Sequence, residues 1–292
     1  MHDPAQSVPA DLPRLGPRSR KTSKRDYGRV VIVGGAAGMA GAPALAGMAA
    51  LKSGAGLVEV LVPEVVTAVT ASFDPCLMTR GLPSDPDGTF ARTAEPLLQE
   101  RLATATAAAI GPGMGRSSAV AAIVQLLWRD LPQPAVFDAD ALWALAEVQP
   151  AERLQHAGSR VITPHAGEML RLVGHDPASP RARDRAWLEA MATEIAATSD
   201  AIVVLKGPAT LITDGNRQAH NETGNPGMAT AGTGDVLTGV IAALVAQGMS
   251  AFEAARLGTW IHGRAGDLAA TEVGEISMTA RDLLERLPAA FH

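Results

Sequence analysis

The sequence predicts a three-layer α/β/α protein: a central, mostly parallel sheet with helices on both faces and an antiparallel hairpin at one edge. Two observations carry this expectation. Apolar β-branched runs alternate with helix-patterned segments along most of the 292 residues, which is how a parallel sheet covered by helices reads. Late in the chain, two short runs flank Asp214-Gly215, a pair that signals a hairpin turn.

The elements follow in order. Arg29 to Val33 reads as a buried strand, Ala42 to Ser53 as a helix ended by Gly54, and Leu57 to Val62 as a strand stopped by Pro63. Glu64 to Ser72 reads as a helix, and Asp74 to Gly88 as loop with a short strand near Leu77. Thr93 to Leu102 is helical, and Ala107 to Ile110 is a strand running into Gly111-Pro112-Gly113-Met114-Gly115. Ser117 or Ser118 caps a helix reaching about Trp128. Ala135 to Phe137 and Arg160 to Thr163 are strands on either side of a helix over Ala141 to Glu147. A long helix over Arg183 to Thr198 precedes a strand over Ala201 to Lys206 and the hairpin, Ala209 to Thr213 with Gln218 to Asn221. Helices over Asp235 to Gln247 and Ala251 to Ala270 follow, and an amphipathic helix begins near Thr279.

Composition bounds the function. Apolar residues make up 47% and charged residues 19%, enough for a core. The net charge of −5 argues against nucleic acid as a partner, because a phosphate backbone needs a basic face. Cys76 is the only cysteine, so no intrachain disulfide is possible and a reducing cytoplasm is the expected setting. The most apolar stretch, Val236 to Ala246, is too short for a membrane span. Residues 1–25, rich in Pro, Arg and Lys, read as a disordered lead-in or an arm that docks on a neighbouring subunit. Residues 26–292 read as one domain with no composition break.

Ligands of open α/β sheets bind beyond the carboxyl ends of the strands, and the polar, glycine-rich segments of this chain sit at such ends. They are Gly34-Gly35, Gly111 to Gly115, Asp138 with Asp140, Thr163 to Glu168, and Lys206 to Thr210. The strongest signal is Asn225 to Asp235 running into an apolar helix. The small residues Gly232, Thr233 and Gly234 let consecutive amides converge at a helix start, where the dipole favours an anion. Asp235, in the first turn, can reach a substrate hydroxyl and take its proton; a plain glycine loop with a helix-start aspartate is the blander alternative. Gly34 to Gly38 lacks the spacing of a dinucleotide fingerprint, even with Glu59 and Glu64 downstream. Glu168 is either a helix-start cap or a water-mediated magnesium contact, since magnesium keeps most of its waters. Asp138 and Asp140 read equally as caps, and Lys206 as a surface lysine or a phosphate contact. His262 reads as packing, and Met39, Met48, Met169 and Met228 as gap fillers.

From about Gly28 to Leu287 the chain resembles the nucleotide-dependent NAD(P)H-hydrate dehydratases of the ribokinase-like group. The resemblance lies in GGAAGMAGAPALAGMAALKSGAGLVEV (Gly34 to Val60), IGPGMG (Ile110 to Gly115), FDADAL (Phe137 to Leu142), TPHAGE (Thr163 to Glu168), LKGPAT (Leu205 to Thr210) and GNPGMATAGTGDVLTG (Gly224 to Gly239). It implies a ribokinase-like fold and a repair reaction in which ADP, or ATP, is consumed with Mg2+ as water is lost from the S epimer of hydrated NADH or NADPH. It further implies that Asp235 is the base and that the Gly232, Thr233 and Gly234 amides hold the phosphoryl group. Lys206, Gly207, Pro208, Ala209, Thr210 and Gly234 would line the nucleotide, while Ala42, Gly113, His165 and Asp235 would meet the hydrated cofactor. A homo-oligomer, a tetramer first, is implied as well. Many relatives carry a fused epimerase domain where this chain has a short tail, and Ala36 stands where relatives often have serine. The competing expectations are a vitamin-precursor kinase of the same fold, acting on a thiazole or pyrimidine alcohol, and a nucleotide-binding regulatory or scaffold protein without turnover.

Overall fold

The computed structural model describes residues 8–147 and 156–292. Seven parallel strands and a terminal antiparallel pair make one nine-stranded sheet. In chain order the strands are β1 Arg29–Val33, β2 Leu57–Pro63, β3 Met78–Leu82, β4 Ala107–Ile110, β5 Ala135–Phe137, β6 Arg160–Ile162, β7 Ile202–Leu205, β8 Thr210–Thr213 and β9 Gln218–Asn221. Their spatial order is β3-β2-β1-β4-β5-β6-β7-β8-β9. The order reverses between β1 and β4, the place where loops diverge and leave a crevice at the strand ends.

The helices are α1 Gly41–Lys52, α2 Thr67–Ser72, α3 Glu95–Leu102, α4 Ser118–Asp130, α5 Asp140–Ala146, α6 Ala166–Leu172, α7 Arg185–Ser199, α8 Thr233–Ala246, α9 Ala251–Val273 and α10 Ala280–Ala290. Strand alternation divides the core. Val30 and Ile32 point to the face covered by α1, α8, α9 and α10, whereas Val31 and Val33 point to the face covered by α3 to α7. Both faces are dry, which is why the inner strands read as unbroken apolar runs. Helix α8 is buried nearly all round. It can lie against α1 because Gly239 has no side chain; a β-carbon there would fall 2.0 Å from the Ala46 carbonyl oxygen.

Most expected elements appear within one or two residues of their predicted bounds. Ser117 caps α4, accepting from the Val120 amide at 3.2 Å. The turn between β8 and β9 is held by Asp214, whose carboxylate accepts from the Asn216 and Arg217 amides. The short strand expected near Leu77 is β3, five residues at the sheet edge. The helix start that Glu168 was expected to cap or pair at is that of α6, whose first residues belong to TPHAGE itself and whose seven residues are too few to give a clear period.

Over its described part the tail makes contacts with the rest of the chain. Leu12 is buried in the α8–α9 side of the core. Asp11 pairs with Arg256 at 2.6 Å, and Arg18 donates to the Gly54 carbonyl at 2.6 Å while its guanidinium lies over the Tyr27 ring. Residues 1–7 lie outside the described residues.

At the opposite end of the sheet from the polar loops, Glu59 on β2 is 3% exposed and meets Arg29, Arg80 and Arg101. Burial alone would raise its carboxyl, but the hydrogen bonds from Arg101, Arg29 and Arg80 outweigh that and hold it below the usual carboxylate range. Glu59 therefore clasps β1, β2, β3 and the end of α3. The Glu59→Gln variant is expected to lose about 3 kcal/mol of stability at pH 7, the low end for breaking a buried ion pair because the guanidiniums keep some solvent. A depressed folded pKa contributes stability that fades as pH falls through it, so the gap between the two proteins closes below about pH 4. Denaturant unfolding at both pH values checks this, and coincident curves at pH 7 would count against the clasp.

Candidate functional site

The loops after β1, β4, β5, β6 and β7 meet the start of α8 on one rim. The turn from Gly232 to Asp235 is shaped by Gly232, which sits at φ 92° as the residue before the helix. A side chain there would be strained and would press on Leu45 and Ala280. No side chain caps this helix start, so its first amides have no intrahelical acceptor and remain available to an anion. Gly232, Gly234 and Asp235 are each half-buried, which leaves the helix tip open to solvent.

Three other loops deliver charge to this tip. The Lys206 ammonium, at the end of β7, donates to Asp138 Oδ1 at 2.9 Å and lies 3.6 Å from Glu168 Oε2. Asp138, at the end of β5, is 1% exposed and also accepts from the Thr238 hydroxyl of α8 at 2.7 Å. A β-carbon on Gly234 would sit 3.4 Å from the Lys206 ammonium and 3.5 Å from Asp138 Oδ2, so the cluster lies directly against the helix tip. Lys206 is thus neither a free surface lysine nor unpaired, and Asp138 is a buried ion partner, not a helix cap. Asp140 differs from a cap too: it accepts from the Gly115 amide at 2.9 Å and from Arg116 at 3.0 Å, fastening the loop after β4.

These neighbours push two aspartates apart. Burial would raise the Asp138 carboxyl, but the Lys206 charge and the hydrogen bonds from Lys206 and Thr238 outweigh it, and the group stays ionised below its ordinary value. Burial raises Asp235 as well, and the negative charge of Asp138 adds to it; the Lys206 ammonium offsets only part, leaving Asp235 at about 7. Lys206 itself is held above the usual lysine value, since the Asp138 and Glu168 charges outweigh its burial. One permanent carboxylate and one poised near neutral pH is the arrangement that separates a structural charge from a proton acceptor.

His165 and Glu168 form a reciprocal cap on α6. The His165 Nδ1 accepts from the Gly167 amide at 3.0 Å and the Glu168 amide at 3.3 Å, while Glu168 Oε2 accepts from the His165 amide at 2.8 Å. The capping reading of Glu168 therefore holds. It also fixes the histidine: with Nδ1 accepting, a neutral ring carries its proton on Nε2, on a side chain 59% exposed toward the rim. Burial raises the Glu168 carboxyl above its ordinary value.

The remaining expected residues border the same rim. Gly113 and Ala42 are neighbours, since a β-carbon on Gly113 would lie 3.0 Å from that of Ala42 and from that of Met39. Leu45, one turn along α1 from Ala42, meets Gly232. Met39 is 39% exposed here, so it is a rim residue and not a gap filler; Met169 is fully buried as expected. Gly207, Pro208 and Ala209 are exposed and Thr210 is half-buried, its hydroxyl donating to the Gly207 carbonyl at 2.9 Å. Ala36 is 2% exposed. Sequence reasoning missed Thr238, Arg185 and Asp267. Arg185 holds the loop after β7 by donating to the Ala209 carbonyl at 2.8 Å, and Asp267 on α9 accepts from the Gly224 amide at 2.9 Å and Asn225 Nδ2 at 3.0 Å. All three stand far along the chain from the loops they hold. A cavity of about 540 Å³ lies elsewhere, between the tail, β9 and α9, and none of the rim residues lines it.

Among the described residues no group of three His, Cys, Asp or Glu side chains is placed to hold a metal ion. A cation that relies on waters and phosphate oxygens with one carboxylate is compatible with Glu168; a fully protein-ligated one is not.

Residues 30–289 match the family described as NAD(P)H-hydrate dehydratase. The chain is similar to the bifunctional NAD(P)H-hydrate repair enzyme Nnr of Moorella thermoacetica, 46% identical over 280 residues that cover 96% of this chain and 51% of that protein. It is also similar to that of Vibrio cholerae, 39% identical over 274 residues that cover 94% and 51%. The chain spans about half the length of these curated relatives. Among solved structures it resembles the ADP/ATP-dependent NAD(P)H-hydrate dehydratase of Bacillus subtilis co-crystallised with ATP and Mg2+, with a TM-score of 0.78, 27% identity and coverage of 96% of this chain and 95% of that one. A hydroxyethylthiazole kinase from Pyrococcus horikoshii shares the fold, at a TM-score of 0.60, 16% identity and coverage of 91% and 89%.

The raised Asp235 carboxyl has a consequence for stability. A folded pKa of about 7, against about 3.9 for an unfolded aspartate, means that stability is present at low pH and lost as pH rises through 7. Asp235→Asn removes that loss. Thermal unfolding without nucleotide is expected to show the variant more stable than the parent at pH 8, with the two converging toward pH 4; a less stable variant at pH 8 would refute the poised carboxyl.

Proposed function

The chain belongs to the NAD(P)H-hydrate dehydratase family, and on that premise we propose that it dehydrates the S epimer of hydrated NADH or NADPH back to the intact cofactor while consuming ADP. Hydroxide is a poor leaving group and phosphate a good one. In the proposed reaction Asp235 takes the proton of the ring hydroxyl as that oxygen attacks the terminal phosphorus of the nucleotide, releasing AMP. The lone pair of the ring nitrogen then expels phosphate, and loss of a proton from the neighbouring ring carbon restores the double bond.

The observation that carries this reading is the pairing of a poised Asp235 with a helix start that no side chain caps. The Gly232, Thr233 and Gly234 amides face the transferring phosphoryl group, where fixed dipoles stabilise developing charge without reorganising. The Lys206 ammonium balances negative charge beside Gly234, and Gly207, Pro208, Ala209 and Thr210 form the nucleotide side of the rim. Ala42 and Gly113 leave room for the nicotinamide ring, and His165 offers its Nε2 proton to the substrate. Glu168 is the residue for a water-mediated magnesium ion, which when bound offsets phosphate charge.

A cytoplasmic setting and a homo-oligomer, a tetramer first, belong to the same reading. Among the described residues no helix is long and apolar enough to cross a membrane. Val65, Val69, Phe73 and Met78 form an exposed apolar face beside edge strand β3, with the Phe73 ring near Gly41, and such a face suits a self-contact.

Hydrated NADH incubated with the protein, Mg2+ and either ADP or ATP is the direct test. Reduced-nicotinamide absorbance is expected to recover with release of AMP and phosphate when ADP is used. Absence of nucleotide-dependent recovery from folded protein rejects the reading, and accumulation of a stable phosphorylated alcohol favours a kinase. Asp235→Asn is expected to lower kcat by about 10²- to 10⁴-fold, the usual contribution of a general base, with nucleotide affinity retained.

A further inference from the structure

Helix α9 runs behind the entire loop from Gly224 to Asp235. Asp267 ties the beginning of that loop. About one and a half turns earlier, His262 ties its end: the ring Nε2 lies 2.8 Å from the Thr233 carbonyl oxygen. His262 is only 8% exposed. A carbonyl oxygen accepts, so Nε2 is the protonated nitrogen. Burial lowers the imidazole to about 4, and the ring is therefore neutral at ordinary pH, a dipolar donor that adds no charge to the rim.

Thr233 is the first residue of α8, and its carbonyl already faces the amide four residues on in the helical ladder. His262 is a second donor to the same oxygen. The Thr233 hydroxyl is also fixed, placed 3.0 Å from both the Met228 and Thr230 carbonyls. So much hydrogen bonding on one residue is more than a helix start requires. Its effect falls on the next residue. The Thr233 carbonyl and the Gly234 amide belong to one planar, resonance-coupled peptide unit. A donor on the oxygen increases the C–N double-bond character, makes the N–H more acidic and fixes its direction.

We propose that His262 is a positioning residue that aims and polarises the Thr233–Gly234 peptide, making the Gly234 N–H a stronger donor to the transferring phosphoryl group. The proposal rests on the reading of the Gly232 to Gly234 amides as the phosphoryl cradle. Side-chain packing alone would make His262 replaceable by any residue of similar volume; the peptide coupling requires a donor at the position of Nε2.

Two variants separate these roles. His262→Gln keeps an N–H near the position of Nε2, whereas His262→Leu fills similar volume without one; His262→Met serves if the leucine variant does not fold. The first readout is the Gly234 amide resonance in nitrogen-15-labelled protein, without turnover. It is expected to move upfield in His262→Leu and to stay near its original position in His262→Gln. The second is steady-state kinetics with hydrated NADH and ADP. The leucine variant is expected to lose about tenfold in kcat, less than the hundredfold or more that follows removal of an oxyanion donor itself. KM for either substrate stays unchanged, and the glutamine variant restores most of the loss. A Gly234 resonance that does not respond to loss of the donor overturns the proposal whatever the substrate is. Equal kinetic losses in the glutamine and leucine variants also overturn it. Failure of the dehydration reading would instead show as no turnover in the unsubstituted protein, with the resonance readout intact.

Discussion

The rim is organised around the Lys206 ammonium. It is four-fifths buried at the end of β7, and it can stay charged there only because Asp138 lies at 2.9 Å and Glu168 at 3.6 Å. In turn, Asp138 can remain an anion inside the protein only because Lys206 and the Thr238 hydroxyl serve it. Asp235 stands beside this satisfied pair and, among the described residues, has no such partner of its own, so it feels burial and the Asp138 charge more than it feels the lysine. The same local field therefore keeps one aspartate ionised and holds the other near its titration midpoint. Removing the lysine would alter both at once.

Backbone geometry makes that field usable. Five strand ends converge on the rim because β1 to β7 are parallel and neighbours in one sheet. The helix tip of α8 reaches them because Gly239 lets α8 approach α1 and because Gly232 turns the chain through a conformation that L side chains avoid. Behind the tip, α9 acts as a ruler, with Asp267 and His262 setting the two ends of the loop. The proposed phosphoryl cradle is thus supported from behind by hydrogen bonds between α9 side chains and the loop. Preorganised amides of this kind have little reorganisation left to do when charge develops.

The Glu59 clasp illustrates why position outweighs residue type. An acid on the second strand of an α/β protein invites comparison with a ribose-binding acid, and Glu59 has about the right spacing. Its side chain instead faces three arginines at the other end of the sheet, where it ties β1, β2 and β3 to the end of α3. The first glycine loop is likewise occupied with the protein itself: the Gly35 amide donates to the Pro112 carbonyl at 2.8 Å, closing the loop after β1 onto the loop after β4.

The order of strands and helices, the hairpin and the placement of Gly232 to Asp235 at a helix start were all legible in the amino-acid sequence. These depend on short-range physics: the period of apolar residues, the torsional freedom of glycine, and the caps supplied by residues such as Ser117. What the chain could not display by itself was which loops face one another. Asp138 and Lys206 are 68 positions apart, Asp138 and Thr238 are 100 apart, and Thr233 and His262 are 29 apart. Each of those contacts follows from the spatial order of strands and the layering of helices, which local pattern does not encode. That is why Asp138 read as a cap, Lys206 stayed open between a surface lysine and a phosphate contact, and His262 read as packing. Their charge states and hydrogen-bond roles are properties of the neighbours that folding brings to them.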